Sequence, residues 1–90
     1  MYEIDYTDKA IEGLRRLSHS EPKAFSKARR LIEELREHPK TGTGHPEQLK
    51  GHHAGQWSRR ITDKHRMVYM INETEVIVLV LTAYGHYEDK

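Results

Sequence analysis

Ninety residues suffice for one domain and leave no room for a second core. The absence of cysteine excludes disulfides and thiolate-held metals. The longest apolar run, residues 76–81, is too short for a bilayer span, and the start lacks a signal peptide's basic and apolar blocks. A soluble cytoplasmic protein without a membrane partner is expected. The net charge of +1 excludes neither acidic nor basic partners by itself.

In chain order, Tyr2, Ile4 and Tyr6 alternate with Glu3 and Asp5, the period of a half-buried strand. Thr7 or Asp8 can cap a following helix, whose apolar stripe reads Ile11, Leu14 and Leu17. Ser18 to Pro22 breaks that pattern, and Pro22 opens a second helix. Its core face is Phe25, Ala28, Leu31, Ile32 and Leu35, and His38-Pro39 ends it. Residues 40–55, rich in Gly, Thr, Pro and His, read largely as loop, long for so small a domain. Strands follow over 56–62, 65–72 and 75–83, separated by turns at Thr62-Asp63-Lys64 and Asn72-Glu73-Thr74. The last is apolar at every position from Val76 to Leu81, which suggests a central strand covered on both faces. The expected fold is α+β in the order β-α-α-β-β-β, one domain over residues 1–90. Two helices pack on one face of a four- to five-stranded, mainly antiparallel sheet.

Charge is distributed unevenly along this framework. Residues 1–37 balance eight basic against eight acidic side chains. Residues 38–70 hold six basic groups (Lys40, Lys50, Arg59, Arg60, Lys64 and Arg66) against Glu47 and Asp63, a net of +4, with five of the seven histidines added. Such a segment suits a polyanion, and a solvated charged face explains it as well. Alternation over 56–62 puts Trp57, Arg59 and Ile61 on one face and Ser58 and Arg60 on the other. Arg60 then lies on the open face, and Arg59 is awkward unless a bulge or the strand end releases it. Arg66 begins a strand apolar on both faces, so its guanidinium is partly covered and needs an anion, either Glu47 or a ligand phosphate.

Glu47, Lys50, Arg59, Arg60, Arg66, His86 and Tyr87 together hold the parts of a phosphodiester chemistry. In RNA cleavage the 2′-hydroxyl loses a proton as it attacks the adjacent phosphorus, and the 5′-oxygen gains one as it leaves. Glu47 can serve as base and His86 as acid. Arg66, with Lys50 or Arg60, can hold the phosphate, and Tyr87 can stack on a base or assist proton transfer. The nucleophile is already part of the substrate, so neither a cofactor nor a metal is called for. His45, His52 and His53 match no compact metal-ligand set and are read as solvent or RNA contacts.

The blocks Gly44-His45-Pro46-Glu47-Gln48-Leu49-Lys50, Trp57-Ser58-Arg59-Arg60-Ile61-Thr62, His65-Arg66-Met67-Val68-Tyr69 and terminal Gly85-His86-Tyr87 resemble the Txe/YoeB toxins. These belong to the RelE superfamily of type II toxin–antitoxin systems. The resemblance covers nearly the whole chain. It implies an mRNA interferase, a ribosome-dependent endoribonuclease that cleaves mRNA in the decoding site. It places the general base at Glu47, the phosphate-stabilising arginine at Arg66, the late catalytic histidine at His86 and the C-terminal tyrosine at Tyr87. Lys50, Arg59 and Arg60 fall at positions expected to contact RNA or phosphate. It implies as partners mRNA, the ribosome and a YefM/Axe-like antitoxin, and leaves a homodimer open. Many members carry a basic residue two positions before the late histidine, where this chain has Tyr84. The alternative is a non-catalytic RelE-superfamily module that binds the ribosome, RNA or another target, and a metal-dependent nuclease is a distant third.

Overall fold

The computed structural model describes residues 1–51, 54–75 and 77–85, with Leu81 in backbone only. Strand β1 (Glu3–Tyr6) leads into helices α1 (Asp8–Ser20) and α2 (Pro22–Glu37). Four strands follow: β2 (Glu47–Gln48), β3 (Gln56–Arg60), β4 (Arg66–Asn72) and β5 (Ile77–Thr82). They form one five-stranded sheet in the order β1-β5-β4-β3-β2, with β1 parallel to β5 and the other pairs antiparallel. The expected α+β fold is therefore observed, with β2 added inside the segment read as loop.

Local chemistry accounts for the helix starts. The Thr7 hydroxyl accepts from the Ala10 amide at 3.1 Å, satisfying a first-turn donor of α1. The Thr7 amide donates to the Val80 carbonyl at 3.0 Å, tying this junction to β5. Glu21 separates the helices, with its amide capping Leu17 at 2.8 Å and Pro22 opening α2.

The core lies between the helices and one face of the sheet. Ala10, Leu17, Ala28, Leu31 and Leu35 meet Ile61, Met67, Tyr69, Val78 and Val80, all essentially inaccessible to water. Trp57 and Phe25 pack partly buried against them. Two details of the sequence reading change. Ile11 is 54% exposed, because α1 lays Ala10, Gly13 and Leu17 inward. Gly13 permits this rotation, since a Cβ there would stand 2.9 Å from the Tyr84 Cβ. β5 is interior to the sheet, but Ile77 and Leu79 on its outer face are only half-buried, so it is covered well on one side alone.

Alternation turns Arg59 into the core, where it is fully buried. Its five N–H groups meet five acceptors. Nε donates to the Tyr69 hydroxyl at 3.2 Å, and Nη1 to Glu34 Oε1 at 2.8 Å and the Thr43 carbonyl at 3.3 Å. Nη2 donates to the Thr41 carbonyl at 2.6 Å and to the His38 carbonyl at the end of α2. The Tyr69 hydroxyl continues to the Pro39 carbonyl at 2.7 Å. One guanidinium thus binds the 38–43 segment to β3, β4 and α2.

Removing Arg59 would leave Glu34 and several carbonyls facing a cavity. Arg59→Ala should lose about 3–5 kcal/mol of unfolding free energy, measured by urea denaturation. A loss typical of a surface ion pair, below about 1 kcal/mol, would contradict the network.

The network also sets an acid limit. Burial pushes the Glu34 carboxyl up, but hydrogen bonds from Thr43 and Arg59 outweigh it and hold it below its ordinary value of 4.5. The Glu21 carboxyl is lowered chiefly by its hydrogen bond from His65. For carboxyls whose folded values are depressed, stability is present above the unfolded value and lost as pH falls through the folded one. Urea midpoints should therefore decline on acidification below about pH 4.5, with a shallower decline in Glu34→Gln.

Candidate active site

The helix-free face of the sheet collects three of the charged residues expected in the site, Glu47, Arg60 and Arg66. Residues paired directly across a ladder share a face, so the register assigns them without ambiguity. Glu47 pairs with Ser58, Ser58 with Val68, and Arg60 with Arg66. Ser58 and Arg60, two positions apart on β3, lie on the same side, opposite partly buried Trp57 and buried Arg59. Glu47, Ser58, Arg60, Arg66 and Val68 therefore occupy one patch across β2, β3 and β4. Ser58 and Val68 are its buried floor, Glu47 and Arg60 are exposed, and Arg66 is half-buried.

Arg60 directly opposite Arg66 is an unfavourable choice for a resting sheet. Opposed residues bring their Cβ atoms to about 4.5–5.5 Å, where like charges destabilise the pair. Two guanidinium groups so placed concentrate positive charge on this part of the face, in a geometry that suits a bidentate anion. Glu47 lies across a diagonal from Arg60, a spacing of about 7–8 Å between such neighbours. That separation suits a carboxylate and a guanidinium working on opposite sides of one phosphate.

The approach to Glu47 is built by Gly44. Its carbonyl accepts from the Arg60 amide at 2.7 Å, and its φ of +85° turns the chain back along β3. A Cβ at Gly44 would meet the Arg60 carbonyl oxygen at 2.8 Å, so a side chain is excluded. The Leu49 amide then donates to the Gln56 carbonyl at 2.8 Å and closes the short edge ladder. Lys50 is exposed just past this bond, outside the paired patch.

Arg59 is the correction to the expected phosphate contacts. Its donors are all engaged and its side chain has no accessible surface, so it is a structural group on the other side of the sheet. His86 and Tyr87, like His52 and His53, lie outside the described residues. The chain is described up to Gly85, whose carbonyl accepts from the Arg66 amide at 2.8 Å. The segment leading to His86 therefore reaches β4 at Arg66.

Two polar residues escaped the sequence reading. The buried Ser58 hydroxyl has no hydrogen-bond partner among the described residues and stands across the ladder from Glu47. His65 is 4% exposed and contacts both Glu21 and Gly85. The sequence marked it only as one histidine of the basic segment and as the first residue of the block with Arg66, with no role of its own. Among the described residues no cluster of His, Asp or Glu suits a metal ion, and no helix is long and apolar enough to cross a membrane.

Comparison with known proteins agrees with this architecture. The family described as YoeB-like toxin of bacterial type II toxin–antitoxin systems matches residues 6–87. The toxin YoeB of Streptomyces coelicolor is 36% identical over 84 residues, covering 93% of this chain and 98% of that protein. A YoeB/ParE toxin structure from Agrobacterium tumefaciens superposes with a TM-score of 0.88 at 32% identity, covering 94% of this chain and 99% of that one. YoeB in a heterotetrameric YoeB–YefM complex from Staphylococcus aureus gives a TM-score of 0.82 at 26% identity, covering 97% and 99%. A YoeB dimer from the same organism gives 0.82 at 28%, covering 96% and 98%. On the family match over nearly its whole length, this chain belongs to the YoeB-like toxins of bacterial type II toxin–antitoxin systems.

Proposed function

We propose that this toxin is a ribosome-dependent endoribonuclease that cleaves mRNA in the decoding site and so stops translation. The observation that carries the reading is the register-defined patch in which Arg60 faces Arg66 with Glu47 on the adjoining edge strand. A polyanion threaded over this face would place one phosphate between the two guanidinium groups. Glu47 takes the 2′-hydroxyl proton, the 2′-oxygen attacks phosphorus, and the bond to the 5′-oxygen breaks. His86 supplies that oxygen's proton, leaving a 2′,3′-cyclic phosphate and a free 5′-hydroxyl. Arg60 and Arg66 meet the charge gathering on the non-bridging oxygens. Tyr87 stacks on a base or assists proton transfer, and Lys50 steers the strand at the edge of the patch.

The ribosome supplies the extended, unpaired message that a shallow site on an exposed face does not itself enforce. The expected protein partner is a YefM/Axe-like antitoxin, by likeness to the Staphylococcus aureus complex, and that organism's dimer supports self-association of this chain. The site is expected to act in the cytoplasm.

Mapping message ends on purified programmed ribosomes tests the activity. The wild-type toxin should cut at the occupied decoding site, and Glu47→Gln, Arg66→Ala and His86→Ala should each lose about 10²–10⁴-fold in rate while remaining folded. Intact message despite ribosome binding would favour a non-catalytic module instead. The opposed arginines add a stability test. Arg60→Gln should raise unfolding free energy by about 0.2–1 kcal/mol while weakening RNA binding. Loss of both stability and binding would show that the pair is not in conflict.

A further inference from the structure

Among the described residues outside the patch and the Arg59 network, the buried polar side chain is His65, between the turn after β3 and the start of β4. Its ring joins segments far apart in sequence. Nδ1 lies 2.9 Å from the Gly85 amide nitrogen and must accept that N–H. A nitrogen that accepts carries no proton, so the ring hydrogen sits on Nε2, which donates to Glu21 Oε2 at 2.8 Å. Glu21 leaves α2 without a side-chain cap and turns its carboxylate to His65, while Lys64 Nζ stands 3.6 Å from its other oxygen. The Gly85 peptide is gripped on its other side too, because its carbonyl accepts from the Arg66 amide at 2.8 Å. Tyr84 stacks tilted on the imidazole at 4.5 Å between ring centroids, Arg16 covers Tyr84 at 5.3 Å, and Gly13 lets α1 press against the Tyr84 backbone.

A histidine buried only for packing would satisfy its nitrogens locally. Here one nitrogen is fixed by a carboxylate from the helix junction, and the other is spent on the last described amide before His86. We propose that His65 is a positioning residue: Glu21 holds its tautomer, and its Nδ1 seats the Gly85 peptide beside Arg66, immediately before His86 in the sequence. The inference rests on the nuclease reading for its consequence, and the clamp itself is measurable without any cleavage.

Two substitutions separate the ring's halves. The Asn amide oxygen falls near the position of Nδ1, and the Gln amide near that of Nε2. His65→Asn should keep the acceptor for Gly85 and lose Glu21, whereas His65→Gln should do the reverse. Hydrogen exchange followed by NMR on the full chain should show a protected Gly85 amide in the wild type and in His65→Asn. In His65→Gln that amide should exchange about tenfold faster. On programmed ribosomes His65→Gln should lower kcat about 100-fold with KM little changed, and His65→Asn should retain most of the wild-type kcat. Both variants remove one hydrogen bond, so a merely structural histidine would lower their urea midpoints and activities together. An unprotected Gly85 amide in the wild type, or an unchanged kcat in His65→Gln after protection is lost, would overturn the proposal. An inactive wild type with a protected Gly85 amide would defeat the nuclease reading while supporting the clamp.

Discussion

A guanidinium with no water around it must be given a partner for every N–H, and the Arg59 side chain is given five. A desolvated charge left short of acceptors costs several kcal/mol. The chain therefore has to bring the carbonyls of His38, Thr41 and Thr43 and the carboxylate of Glu34 to one point. That requirement folds the segment after α2 down over the core side of β3. It also determines where the same segment re-emerges, at Gly44, close against the Arg60 backbone. Glu47 arrives at the sheet edge as a consequence. The buried arginine on one face thus sets the position of the carboxylate on the other.

Arg59 and Arg60 show how one residue of strand alternation separates structure from chemistry. Arg59 is enclosed and saturated, and its value is to organise a loop. Arg60 faces outward, directly across the ladder from Arg66. The floor of the patch is formed by small or apolar residues, Ser58 and Val68, so its charges act from the rim.

Much of this was legible in the sequence because periodicity and turn chemistry are local. The core face of α2, the turns at residues 62–64 and 72–74, and the outward course of Arg60 follow from spacing alone. Arg59 marks the limit. Alternation pointed it inward, but three of its five acceptors are backbone carbonyls 16 to 21 positions away, and carbonyls have no sequence signature. Ile11 was misread because the stripe at 11, 14 and 17 ignored what Gly13 permits, a close approach to Tyr84 that rotates α1. The Glu21–His65–Gly85 chain spans 64 positions in two contacts and was invisible for the same reason. The charged patch lies between these cases. Its members were recognisable as residue types and by resemblance, and only the register of β2, β3 and β4 brings Glu47, Arg60 and Arg66 to one face.

The central claim is that these three side chains form one anion site. Its most direct test is an NMR titration of the arginine Nε–H and Glu47 side-chain signals with a short 2′-O-methyl oligoribonucleotide, which can bind and cannot be cleaved. Arg60, Arg66 and Glu47 should shift together along one saturation curve, while Arg59, sealed in the core, should not move. Shifts confined to the helices, or separate curves for Arg60 and Arg66, would contradict a shared site.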